Sequence, residues 1–195
     1  LLDNTAISVI FEPDEQMAST ALELAPDALI VETIDQLLSH QPLDCIVIAS
    51  PNHCHVGQLE AIAKRVCLPL LVEKPLFTAM DDLKRILKLK TDYGAPIWVA
   101  MEYRYMPPMQ QFIQSVQVAT GGVKMLTIIE HRFPFLKKVN NWNRFNENSG
   151  GTFVEKCCHF FDLMRHILNS DPVRIMASAG QNVNNREEIY DGQRP

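Results

Sequence analysis

The feature that most limits the fold is an alternation in the first hundred residues. Short, fully apolar runs are each followed by a stretch whose apolar residues recur at helical spacing. Residues 6–11 read as a buried strand, Glu12-Pro13-Asp14 as a turn, and the apolar positions running to Leu24 as a helix. The unit repeats as strand 28–31, short helix 34–38, and a β-branched-rich strand 45–49 bounded by Asp44 and Ser50-Pro51. Helix 56–65, strand 70–72, helix 81–90 and strand 97–101 complete it. Strands joined through helices run parallel, and runs apolar on both faces call for cover on both faces. The expected fold class is α/β with a doubly wound parallel sheet.

Beyond residue 101 the pattern changes. A helix over 111–118 follows the breaker pair Pro107-Pro108, and Gly121-Gly122 marks the expected boundary between residues 1–120 and 121–195. Next come a long strand expected at 123–132, an Asn-rich polar loop at 137–151, a helix at 152–168 and a strand at 173–179. Longer strands with fewer helices suggest part of an α+β domain with a mostly antiparallel sheet. The chain opens at Leu1 and stops just after Asp191-Gly192, so we expect a piece of a longer chain.

Composition serves to exclude. Eighteen basic against 23 acidic residues, scattered along the chain, leave a net charge of −5 and no basic patch for nucleic acid or anionic membrane. No apolar run approaches the roughly 20 residues a transmembrane helix needs, and the first residues lack the pattern of a secretory signal. A cytoplasmic protein acting on a small molecule is the expectation. The five cysteines show no disulfide-scaffold spacing, so reduced thiols are expected.

Several polar residues fall at the carboxyl ends of the expected strands, the edge at which open parallel sheets bind ligands. Glu12 ends the first strand, where an acid accepts hydrogen bonds from ribose hydroxyls and repels a 2′-phosphate, favouring NAD with NADP as the alternative. A solvated turn acid explains it equally. Ser50, Pro51 and Asn52 end the strand 45–49, with His53 and His55 opening the next helix, where helix capping and packing compete with ligand contact. Lys74 follows the strand 70–72 in Glu73-Lys74-Pro75. The proline disfavours helix at the lysine before it, so Lys74 extends off the sheet edge, where an ammonium can stabilise a developing alkoxide. A surface lysine is the plain alternative. Glu155 and His159, four apart in the helix 152–168, share a face, and an imidazole oriented by a carboxylate can take a hydroxyl proton. Phe153, Cys157, Phe160 and Phe161 are plausible core positions, and a histidine amid such residues is more often packed than catalytic.

Taken together, Ser50-Pro51-Asn52 with His55, Glu73-Lys74-Pro75, and Gly150-Gly151 followed by Glu155 and His159 resemble the Gfo/Idh/MocA family of dehydrogenases. The resemblance runs from near Glu12 to the end of the chain. It implies a Rossmann domain whose first strand and glycine-rich loop lie upstream of Leu1, a C-terminal α+β domain, an active site between them, and a homo-oligomer. It further implies that Lys74 is the catalytic lysine beside the nicotinamide and His159 the acid/base, with Glu155 at the family's usual aspartate position. Glu12, Asn52 and His55 match nucleotide-contacting positions, and Ser50, Pro51, Glu73 and Pro75 belong to the same motifs. Tyr103 and Arg104 resemble the segment that approaches the sugar. Residues 130–135, 141–145 and 155–162 look like one branch of the family. Trp142 and Arg144 suit a polyol, since a guanidinium binds hydroxyls and an indole packs on a sugar ring, although a solvated loop explains them too.

Two readings from other classes compete. A non-catalytic homologue that senses nucleotide or binds a partner would keep the fold, and glutamate in place of aspartate at 155 is the residue that hints at it. A zinc protein would draw on His53-Cys54-His55 and Cys157-Cys158-His159, but adjacent and alternate residues diverge on helices and no C-x-x-C pair is present. No metal is expected.

Overall fold

The structure is a computed structural model that describes residues 3–131, 136 and 138–180. Its first part follows the alternation. Strand β1 (Val9–Phe11) leads to helix α1 (Glu15–Leu24), then β2 (Leu29–Val31), α2 (Ile34–Ser39), β3 (Ile46–Ile48), α3 (His55–Ala63), β4 (Leu70–Val72), α4 (Leu83–Asp92) and β5 (Ile97–Val99). Helices α1 and α2 start where side chains satisfy the first backbone donors. Asp14 accepts from the Met17 N–H at 2.9 Å, and Thr33 with Gln36 forms a capping box at α2.

The strands form two parallel sheets, β1 with β2 and β3-β4-β5. Register aligns Ile46 with Leu70 and Ile48 with Val72, so one face of the larger sheet is apolar. On that face Leu38, Leu59 and Ile62 join the four strand residues in a buried core, with Ile86 and Leu89 of α4 packed against it. A fully buried Leu59 or Val72 contributes about 1.5–3 kcal/mol each. The opposite face carries Val47, Leu71 and Trp98 in one registered row, 59%, 40% and 56% exposed. Between the two sheets a cavity of about 1540 Å³ runs along β1 and β3.

Helix α5 (Pro107–Thr120) starts on its two prolines and stops at Gly121, whose φ of 68° is a left-handed cap. Short helices α6 (Asn146–Ser149) and α7 (Gly151–Glu155) precede α8 (Cys158–Leu168). Leu163 and Ile167 of α8 bury against Val116 of α5, with Val123, Leu126 and Ile128 alongside.

Two expectations need correction. The segments expected as strands at 123–132 and 173–179 carry no ladder among the described residues. Met125, Ile129, Val173, Ile175 and Met176 are exposed, because an extended segment becomes a strand only when a neighbour accepts its backbone bonds. Arg132 lies outside the described residues. The single helix expected over 152–168 is two, α7 and α8, parted at Lys156-Cys157.

Candidate active site

The carboxyl edge of β3-β4-β5 and the junction of α7 with α8 bring Lys74, Asn52, Glu155 and His159 into one neighbourhood. Lys74 Nζ donates to the Glu155 carbonyl at 3.0 Å and pairs with Glu155 Oε1 at 3.4 Å, both side chains largely buried. Asn52, itself buried, donates through Nδ2 to Glu155 Oε2 and stands 3.5 Å from the Ser149 carbonyl. One carboxylate therefore joins loops from β3 and β4 to the end of α7. The break after Glu155 makes this reach attainable. The break divides the helix expected to carry both Glu155 and His159, and Lys74 stands close to each of them.

His159 is 3% exposed and stacks on the Tyr103 ring, centroids 4.3 Å apart and planes 10° from parallel. Its Nε2 lies 3.5 Å from Glu102 Oε1, and its buried Nδ1 has no hydrogen-bond partner. Burial first, then the charges of Lys74 and Lys156, push its pKa down to about 4, against a smaller opposing pull from Glu73 and Asp162. The imidazole is neutral at pH 7, with an unsatisfied nitrogen inside the protein.

Lys156 sits behind this ring. Its Nζ donates to the Tyr103 hydroxyl, pairs with Glu130 at 3.1 Å and stands 5.5 Å from the Phe160 centroid. Burial opposes its charge, but the bonds to Tyr103 and Glu130 outweigh that and hold the ammonium above its ordinary value. The sequence signal was a lysine within a run of Phe and Cys, where a charge that cannot reach water needs a partner. Cys158 nearby is pushed up to about 11, mainly by burial, so its thiol stays protonated.

Other expected site residues lie elsewhere or are engaged. Arg104 forms a two-pronged pair with Asp162, Nε to Oδ2 at 2.6 Å, which ties the turn after β5 to α8 and leaves the guanidinium committed. Tyr103 contributes its ring to His159 and its hydroxyl to Lys156. Trp142 lies by His53, centroids 6.3 Å apart, on the wall of the large cavity, and Arg144 follows in the same turn. Glu12, Ser50 and Pro51 line that cavity too. Glu12 accepts from the Asp14 N–H at 2.9 Å, and Ser50 Oγ donates to Gln58 at 2.6 Å. Glu73 accepts from the Lys74 N–H at 3.2 Å. His53 is held below the ordinary histidine value by burial and then by His55, with Glu147 opposing. His55 is wholly buried, with Nδ1 2.8 Å from the Pro75 carbonyl and Nε2 2.9 Å from the Ser50 carbonyl. No nitrogen remains for a nucleotide or a metal. Among the described residues, no three His, Cys, Asp or Glu side chains converge as a metal site, and no helix is long and apolar enough to cross a membrane.

Comparison with known proteins matches both parts. A family model for the oxidoreductase family's NAD-binding Rossmann fold covers residues 2–101, and one for its C-terminal alpha/beta domain covers 118–192. An inositol 2-dehydrogenase of Rhizobium meliloti (strain 1021) is 29% identical over 150 residues, 76% of this chain and 44% of the relative. Among solved structures, myo-inositol 2-dehydrogenase from Lactobacillus plantarum superposes with a TM-score of 0.68 at 17% identity, over 88% of this chain and 51% of the other. A levoglucosan dehydrogenase in complex with NADH and levoglucosan gives 0.67 at 19% identity, over 84% and 45%. The chain thus spans about half the length of the relatives it matches.

Proposed function

Because the chain belongs to the Gfo/Idh/MocA family of oxidoreductases, we propose that it forms the reacting centre of an NAD-dependent dehydrogenase acting on a CH–OH carbon of a sugar, cyclitol or related polyol. Residues 1–120 would form the nucleotide side and 121–195 the substrate side. The observation that carries this reading is the buried, unpartnered Nδ1 of His159, whose ring lies within reach of the Lys74 charge. A buried polar atom without a partner carries a cost, and a substrate hydroxyl is a group that would remove it.

The fit to a nicotinamide nucleotide rests on the carboxyl ends of β1 and β3, where Glu12 and Ser50-Pro51 stand, the acid suited to ribose hydroxyls. Bound there, NAD supplies the acceptor for hydride. The chain supplies the rest. Neutral His159 accepts the hydroxyl proton, and returns it in the reductive direction. Lys74 places a positive charge where the alkoxide develops, in a site dry enough for that charge to matter. Glu155, itself held by Asn52, keeps the ammonium in place between turnovers.

The test is Lys74→Ala in the full-length protein, assayed with inositols and sugars. Turnover is expected to fall about a hundred- to a thousandfold, as loss of an electrostatic stabiliser does, while NAD affinity shifts by no more than about threefold. Full turnover in the variant would sink the assignment.

A further inference from the structure

We infer that His55 is a charged clip: its ring donates from both nitrogens at once, to the Ser50 and Pro75 carbonyls, and so positions Lys74. The inference rests on Lys74 being catalytic, as proposed above.

The geometry leaves the ring little choice. A carbonyl oxygen only accepts, so a ring nitrogen 2.8 or 2.9 Å from one is bound to it only if it carries a hydrogen. A neutral imidazole has a single N–H, and either tautomer would press a nitrogen lone pair against the other carbonyl. Both bonds form together only in the doubly protonated ring. The ring has no exposed surface, so no water replaces a missing bond. His55 also opens α3, where the helix N-terminus disfavours a cation. Two charge-assisted bonds to carbonyls are the compensation the structure offers.

What the clip joins gives it a role. Ser50 follows β3, and its loop carries Asn52, whose amide reaches Glu155. Pro75 follows Lys74 off β4, and Lys74 reaches the same carboxylate. One imidazole thus fixes the backbone of both loops whose side chains meet at Glu155. His55 touches neither Lys74's ammonium nor any open surface, so it acts through the backbone as a positioning residue. A displacement of about an ångström at a reacting group can cost on the order of a hundredfold in rate.

The test begins with the unaltered full-length protein, 15N-labelled, with the His55 ring signals assigned by their disappearance in His55→Leu or, should that variant not fold, in His55→Gln. Two slowly exchanging ring N–H protons at neutral pH are expected. One N–H beside one bare nitrogen would overturn the charged clip. Positioning is read from kinetics. His55→Leu is expected to lower kcat about tenfold or more with the nucleotide KM within about threefold. A folded variant with native kcat would overturn the positioning role. Lys74→Ala separates the two ideas. If it keeps turnover while His55 shows both N–H signals, the catalytic reading fails and the clip stands; if it loses turnover while His55 shows one, the reverse holds.

Discussion

Lys74 and His159 are held in different ways. At the sheet edge, Lys74 follows a buried strand paired on both sides, precedes a proline, and has the next carbonyl fastened to His55. Its backbone is fixed by parallel pairing that extends through the core. In the helical part, Glu155 ends a helix of five residues and His159 lies in the first turn of the next, with a two-residue break between. What fixes them is side-chain contact: Lys74 and Asn52 on Glu155, Tyr103 and Lys156 around His159. The difference teaches that the sheet edge is a rigid platform and the α7–α8 junction an adjustable one. Substitutions on the helical side should therefore separate geometry from stability more readily.

The largest effect expected there comes from His159→Gln, which keeps a polar group but removes the proton acceptor. Loss of a positioned general base lowers kcat by about 10²–10⁴, and a variant within threefold of native kcat would remove His159 from the reaction. The same substitution reports on pH. The native imidazole is held near 4, below the 6.5 of an unfolded chain, so between those values the unfolded state binds more protons. This contribution is intact above about 6.5 and is lost as pH falls toward 4, a loss of at most about 3 kcal/mol. Urea midpoints measured across that window should fall less steeply in the variant. Equal slopes would show that His159 is not buried as a neutral ring.

Next in size is Gly150→Ala, which strikes the hinge into α7. Gly150 has φ 77°, and an added Cβ would lie 2.7 Å from Val154 Cβ and Cγ1 and 3.1 Å from the Thr78 carbonyl. Left-handed strain and overpacking together cost about 2–4 kcal/mol. The urea midpoint should drop accordingly and turnover with it, as α7 shifts Glu155 away from Lys74. A native midpoint would mean the junction is looser than its contacts imply.

The same contrast governs how far the sequence was readable. The strands at 45–49 and 70–72 stood out because Ile46, Ile48, Leu70 and Val72 form short apolar runs between clear turn signals, and such runs fold the same way in many surroundings. Lys74 and Asn52 could be placed at the sheet edge for that reason. The break at Lys156-Cys157 has no glycine or proline to announce it. It follows from where Lys156 finds Tyr103 and Glu130, which are distant in sequence. The pairing of Arg104 with Asp162 was likewise not legible, because the two lie 58 residues apart. For His55 the sequence left packing and ligand contact open, and the family resemblance implied the contact, because sequence does not show which carbonyls turn inward.

The smallest effect, and the one that bears most directly on the adjustable junction, is expected from Glu155→Asp. The glutamate uses its extra methylene to reach Asn52 with one oxygen and Lys74 with the other. Aspartate falls short by more than an ångström if α7 stays in place (one C–C bond is about 1.5 Å). A rigid junction would then leave Lys74 held only by the backbone carbonyl of residue 155, and kcat should fall about tenfold, or 1.4 kcal/mol. A junction that yields would let α7 move toward the sheet and restore both contacts, with kcat within about twofold and a lower urea midpoint as the cost of repacking. Steady-state kinetics and urea unfolding on the same preparation distinguish the two. Tenfold loss at native stability would place Glu155 with the sheet edge, as part of the platform, and would confine the adjustable element to α8.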